Sequence, residues 1–292
     1  MPGPDRPLGA RHMALLSPST RRLLVGLPLV VLGISACDEG TSRDVNTASD
    51  CFNPELLRNG STYGYTQTPE EPTSAPDTTR FGDSNDPLSG PTRFEVRVES
   101  DAGIEFGPDA RLADTRRHTR TYWQEEPEPP FETAHYIQAG TDPATGYRVL
   151  GQRHEGGLEG PTIVTHHPAR LIRHDLQEGD SYTQALVTSR HMPHGAWDSH
   201  WTITTTYRGR KTVEVPAGRF ETCLIVQRYE APSDRQTDGA PYSLRMPDHT
   251  LYQWQAVGSG IPVMTQVEGH GFAETRWELT GATINGRPID TH

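Results

Sequence analysis

Only three thiols occur in the 292 residues, at Cys37, Cys51 and Cys223. A thiol can be acylated, oxidised to a disulfide, ligate a metal or attack a substrate, and its surroundings decide which. Cys37 closes the run Ile34-Ser35-Ala36-Cys37, behind Arg21-Arg22 and an apolar stretch from Leu23 to Ile34. A positive start, a short apolar core and small residues before the break make a secretory signal. The stretch is too short, and its exit too polar, for a membrane span. An exported chain meets an oxidising compartment, so Cys51 and Cys223 are expected to form a disulfide, against the alternative of two buried thiols. Neither has a Cys-x-x-Cys partner or an activating base beside it, which speaks against a catalytic thiol.

Three other groups of residues could do chemistry. His191-Met192-Pro193-His194, with His200 near by, could offer imidazoles to zinc or copper from a loop, since Pro193 forbids a regular helix there. A solvated, histidine-rich loop explains the same residues, as it does for His166, His167 and His174 upstream. Gly82-Asp83-Ser84-Asn85 resembles the nucleophile block of a lipase and esterase superfamily. Such a serine needs an apolar strand before it and a helix after it, whereas here Thr78-Thr79-Arg80 precede and Asp86-Pro87 follow. Glu125, Glu126 and Glu128 crowd around prolines, and paired catalytic carboxylates need a defined separation across a cleft. Each group reads more simply as polar loop, so no enzymatic activity and no cofactor are expected.

The elements that must position these residues are strands. An apolar share of 33%, with 28 Gly and 25 Pro, is lean in core formers and rich in turns. The formal net charge of −11 argues against a nucleic-acid partner. The strongest pattern runs from Trp201 to Glu230. Trp201, Ile203, Tyr207, Val213 and Val215 fall on odd positions, as on one face of an extended chain, with Gly209 as a bulge or break. The turn Val215-Pro216-Ala217-Gly218 follows. A three-residue loop would pair Val215 with Arg219. A four-residue loop keeps Val213 and Val215 on the face of Phe220, Leu224 and Val226, and side-chain segregation favours it. Further strands are predicted around Ser61 to Thr68, Phe94 to Val98, Arg111 to Gln124, His135 to Gln138, Tyr147 to Gln152, Tyr182 to Arg190, Leu251 to Ala256, Val263 to Val267 and Thr275 to Ile284. Residues 69–91 are rich in Pro, Thr, Ser and Asp and are predicted to form a long mobile loop.

Two resemblances add to this. Ile34-Ser35-Ala36-Cys37 resembles the lipobox of bacterial lipoproteins, which implies that the Cys37 thiol takes diacylglycerol and becomes the new amino terminus. Asp38 after it would favour the inner membrane by resemblance to enterobacterial sorting. Val215 to Phe220, with Trp254-Gln255-Ala256-Val257-Gly258-Ser259-Gly260 and Gly179-Asp180-Ser181-Tyr182, is similar to a loosely defined group of uncharacterised bacterial secreted proteins and lipoproteins. That likeness implies β half-barrels akin to periplasmic lipoprotein carriers, with no activity attached.

The expected protein is all-β, an antiparallel meander curved into a sheet or half-barrel with long polar loops. A signal peptide covers residues 1–36, a flexible tether 37–50 and a single β domain 51–292. It is expected at the bacterial cell envelope, held to a membrane through lipidated Cys37 and facing the periplasm. There it would bind or scaffold, with an apolar ligand or an envelope protein as partner. The alternatives are a periplasmic metal-binding protein using His191, His194 and His200, and an envelope hydrolase.

Overall fold

The computed structural model describes residues 46–69, 92–123, 130–139, 145–155, 160–231, 248–269 and 275–291. Twelve long strands follow one another in space in the order they occur in the chain. They are β1 (Thr62–Pro69), β2 (Thr92–Phe106), β3 (Arg111–Trp123), β4 (Phe131–Gln138), β5 (Gly146–Glu155) and β6 (Thr162–Arg173). Then come β7 (Ser181–Met192), β8 (Gly195–Val215), β9 (Gly218–Glu230), β10 (His249–Ala256), β11 (Pro262–Gly269) and β12 (Thr275–Ile284), with a short β13 (Arg287–Pro288). Every neighbouring pair is antiparallel.

The all-β antiparallel meander is as the sequence predicts, but the half-barrel is not. β12 pairs with β1, from Tyr63 opposite Ile284 to Pro69 opposite Trp277, and the sheet closes into a twelve-strand barrel. Closure leaves neither end strand with a row of unpaired backbone groups. The Gln67 side chain reinforces the seam by donating to the Pro262 carbonyl at 3.3 Å.

The predicted bulge at Gly209 is present: the β8–β9 register slips between Tyr207 and Arg210, and Gly209 has φ +84°. The extra residue reverses the phase of β8, so its odd positions do not share one face. Tyr207 lies opposite Ile225, whereas Val213 lies opposite Phe220. The turn is tighter than the expected four-residue loop, because Val215 pairs with Gly218 and only Pro216 and Ala217 connect them. Two residues preserve the same segregation of faces as four. The Ala217 amide, donating to the Leu279 carbonyl at 2.9 Å, anchors the tip. Val215 and Phe220 join a core with Tyr63, Val96, Val98, Ile261, Val263 and Leu279.

β6 was not legible in the sequence. Pro168 interrupts it where both of its ladders are irregular. Pairing to β7 runs only from Ile163 to His167, and pairing to β5 slips between Val149 and Gly151.

Packing against the barrel is already present before Cys51. Residues 46–50, expected to end the tether, are packed: Ala48 is buried, its amide donates to the Leu176 carbonyl at 2.9 Å, and Thr47 bridges Gln177. Two 3₁₀ turns, Ala48–Cys51 and Pro54–Leu57, then cross one mouth of the barrel. Pro54 fills a first helical position behind Asn53, whose side chain accepts from the Glu55 amide at 3.0 Å. This segment touches β2, the turn after β10 and the end of β6. The Leu57 carbonyl accepts from Ser100, the Asp50 carbonyl from Gly258, and Phe52 stacks on His174 at 4.1 Å. The expected loop 69–91 lies outside the described residues from 70 onward.

Candidate functional site

Of the residues singled out in the sequence, Cys51 and Cys223 are disulfide-bonded across 172 positions, fastening the mouth segment to β9. Cys37, Ser84, Glu125, Glu126 and Glu128 lie outside the described residues. The histidine triad does not assemble. His191 and His194 sit at the tight β7–β8 turn and His200 within β8, in strand rather than in a loop. His191 lies opposite Ala196 and His200 opposite Val187, four residues along the ladder. At about 3.3 Å per residue that is roughly 13 Å of separation, too far for one ion. Among the described residues no group of three or more His, Cys, Asp or Glu could hold a metal.

The structure places a different set of residues together. A barrel of eight strands is just filled by its own side chains, and width grows with strand number, so twelve leave a lumen. Here it holds a cavity of about 510 Å³. Its wall is drawn from strands all round the barrel and its floor from Cys51, Phe52, Leu56 and Leu57 of the mouth segment. Other hollows, such as that bounded by Leu112, Asp114, Gln138 and Arg148, are of similar or larger volume but draw on few strands. None brings so many polar groups to one point.

Alternation on β3 sets the character of the lumen. Arg116 and His118 turn outward, where both meet Glu99. Arg117 between them must therefore turn inward. It lies deep in the barrel while keeping part of its surface open to the cavity. Tyr63, Tyr65 and Tyr147 lie near it, and its Nε has no partner. Burial pushes the Tyr63 and Tyr65 phenols above their ordinary range, against the pull of Arg117, so both stay neutral. On β6, Arg170 donates to Gln227 Oε1 at 2.9 Å and to the Tyr229 hydroxyl at 2.6 Å. Arg173 is different, because it makes a two-pronged pair with Asp175 at 2.8 Å. Among the described residues no Asp or Glu lines the cavity.

Four histidines line the same space: His135, His154, His166 and His174. Burial, then the charge of Arg117, holds His135 well below its ordinary pKa, and Arg170 acts on it too. Burial and Arg170 take His166 down to about 4. Burial takes His174 to about 4. Burial and then Arg190 lower His154, which bonds Thr133 at 3.0 Å and Gln152 at 2.9 Å. Near neutral pH these imidazoles are uncharged donors and acceptors. Gln152, Gln227, Gln253 and Gln255 add amides, and Phe94, Val96, Ile172 and Ile225 add apolar surface.

The fold and site together define a closed antiparallel barrel with a polar, cationic interior and a disulfide-fastened floor. No protein-family model matches this chain. No curated protein matches it either. Among solved structures, a candidate lipoprotein from Parabacteroides distasonis matches over 80% of this chain and 98% of its own, at 9% identity and a TM-score of 0.41. That overlap is too loose to carry an argument from one chain to the other.

His166 and His174, expected in a solvated loop, line the lumen instead, and the other lumen residues were hidden because β3 carries no apolar alternation to fix which positions face inward. One signal was available: two adjacent arginines, Arg116 and Arg117, inside a strand cannot both face solvent.

Proposed function

We propose that this chain is a lipid-anchored protein of the bacterial envelope whose barrel binds a small molecule in its lumen. The single observation that carries the reading is the 510 Å³ cavity, on which hydrogen-bonding side chains converge from strands all round the barrel. That volume falls within the roughly 300–1,000 Å³ typical of small-molecule sites, and the mixture of apolar wall and placed polar groups is what such sites present. A purely apolar ligand would leave buried amides, hydroxyls and imidazoles unmatched, so an amphiphile suits the lining better than a bare acyl chain.

Attachment is assigned to Cys37 and not to the strands. No described helix is long and apolar enough to cross a membrane. A membrane-spanning barrel shows lipid an apolar band. The outward faces of β2, β3 and β4 instead carry Arg93, Glu95, Arg97, Glu99, Arg116, Arg120 and Glu132, paired in ion bridges. A diacylglyceryl group on Cys37 would hold the barrel beside the bilayer with its charged wall in water.

The test is to purify the full chain from bacterial membranes and denature it under mass spectrometry. The expected result is an amino-terminal peptide beginning at diacylglyceryl-modified Cys37, with a small molecule released in stoichiometric amount. An unmodified Cys37 peptide overturns the anchor. A barrel that releases nothing, and binds none of the amphiphiles named below, overturns the ligand reading.

A further inference from the structure

Arg117 and Arg170 are cations that face one cavity, and both act on His135, which sets them in a single chamber. A charge removed from water is retained only when it is paired and hydrogen-bonded. Several arginines that reach the solvent-facing side of this barrel have carboxylates beside them. Arg116 pairs with Glu99, Arg120 with Glu132, Arg173 with Asp175, and Arg210 with Asp50 and Glu221. Arg117 and Arg170 differ: among the described residues Arg117 has tyrosines around it, and Arg170 has a glutamine carbonyl and a tyrosine hydroxyl, groups that solvate a cation without neutralising it. The difference is the more pointed in a chain whose formal charge is −11. With carboxylates in excess, none of the described ones is placed in the lumen wall.

We propose that the lumen is an oxyanion site, in which the guanidinium groups of Arg117 and Arg170 take the carboxylate or phosphate head of an organic ligand. This rests on the lumen being a ligand site and adds the chemistry of the ligand. A guanidinium presents a planar fork of N–H donors that matches a carboxylate or phosphate two at a time. The part of Arg117 that stays open to the cavity supplies such donors. Arg170 is held in place from behind by Gln227 and Tyr229. The histidines do not compete as counter-charges because they are neutral in this setting, and the neutral His135 ring can add a hydrogen bond to the bound head. The apolar part of the ligand meets Phe94 and Val96 of β2, Ile172 of β6 and Ile225 of β9.

Trp201 provides a reporter, since its ring meets Tyr229 edge-on at 6.1 Å and the Tyr229 hydroxyl bonds Arg170. The disulfide-intact protein is titrated with octanoate, octyl phosphate and octanol, following tryptophan fluorescence and calorimetric heat. One or both anionic probes are expected to bind about 10- to 100-fold more tightly than octanol, the range that hydrogen bonds to a charged group supply. Arg117→Gln and Arg170→Gln are each expected to erase that preference, and Arg117→Lys to restore part of it while circular dichroism stays unchanged. Inorganic phosphate is expected to displace octyl phosphate if the phosphate head alone is recognised, and octanoate to bind best if the site is built for carboxylates. Equal binding of octanol and both anions overturns the oxyanion site but leaves the lumen a ligand site. Failure of all three probes overturns both.

Discussion

Arg117 and His174 stand at opposite ends of one physical question, which is what a barrel interior does with polar groups that nothing inside it satisfies. Arg117 keeps its charge because a guanidinium does not lose its proton in a protein. In the ligand-free barrel that charge is a cost, so Arg117→Met is expected to stabilise the empty protein. Replacing buried ionic groups with apolar ones of similar volume is worth about 1–4 kcal/mol, and a domain of this size gains about 2–4 °C per kcal/mol. A thermal melt of the ligand-free variant checks this, and a melting temperature below wild type would show that the tyrosines already compensate the charge. His174 takes the other course and gives up its proton. Burial lowers its pKa to about 4, its Nε2 has no partner, and its ring stacks on Phe52 of the mouth segment at 4.1 Å. The unfolded chain takes up a proton near pH 6.5 that the folded chain refuses until about 4. Stability therefore stays full above 6.5 and falls as pH drops through that window, by on the order of 3 kcal/mol for this one group. His174→Phe, which keeps the stack and removes this titration, is expected to make the melting-temperature profile less steep between pH 6.5 and 4, with the rest of the slope owed to His135, His154 and His166. An unchanged slope would assign the acid sensitivity to other groups.

At the scale of elements, the mouth segment depends on a cross-link that the sequence made legible, because two thiols in an exported chain leave one pairing. Closing a loop of 172 residues removes unfolded-state entropy worth about 5 kcal/mol in the chain-entropy account. Cys51→Ser is expected to lower the denaturant midpoint by an amount within that bound and to raise amide exchange over residues 46–57 before the strands respond. Equal loosening of β9 and β10 would mean that the bond supports the whole wall and not the floor. The bulge in β8 was legible too, since Gly209 stands between two arginines in an otherwise regular strand. Its φ of +84° suits glycine, and a Cβ there would meet the Glu178 carboxylate at 2.4 Å. Gly209→Ala is expected to cost about 1–3 kcal/mol by chemical denaturation, the usual penalty for a side chain held in that region. What the sequence hid was the consequence of the bulge. One extra residue turns Val213 and Val215 to the face opposite that of Tyr207, so counting odd positions from Trp201 to Val215 merges two faces that the backbone separates. The site was hidden for a related reason. Arg117, His135 and Gln152 form one rung across β3, β4 and β5, yet no apolar neighbour on β3 marks that rung as inward.

For the whole molecule, closure of the barrel was the step that sequence could not supply. Alternation shows that Ser61 to Thr68 and Thr275 to Ile284 are strands, but nothing local says that the first and last find each other across some 210 intervening residues. Closure also has a consequence for where the protein sits. The ion-paired outer faces of β2, β3 and β4 do not suit lipid, so on this reading the barrel and its anchor should separate cleanly. Cys37→Ser, which removes the thiol that lipid would occupy, is expected to move the protein from the membrane fraction to the aqueous one. The lumen should be unaffected, because no described residue of the cavity precedes Cys51. The released protein is therefore expected to keep the Cys51–Cys223 bond, the wild-type circular dichroism and undiminished binding of octanoate or octyl phosphate. Sedimentation of membranes followed by titration of the supernatant checks both halves at once. Protein that stays with the membrane after the substitution would place the anchor elsewhere, and released protein that no longer binds would tie the lumen to the lipid itself.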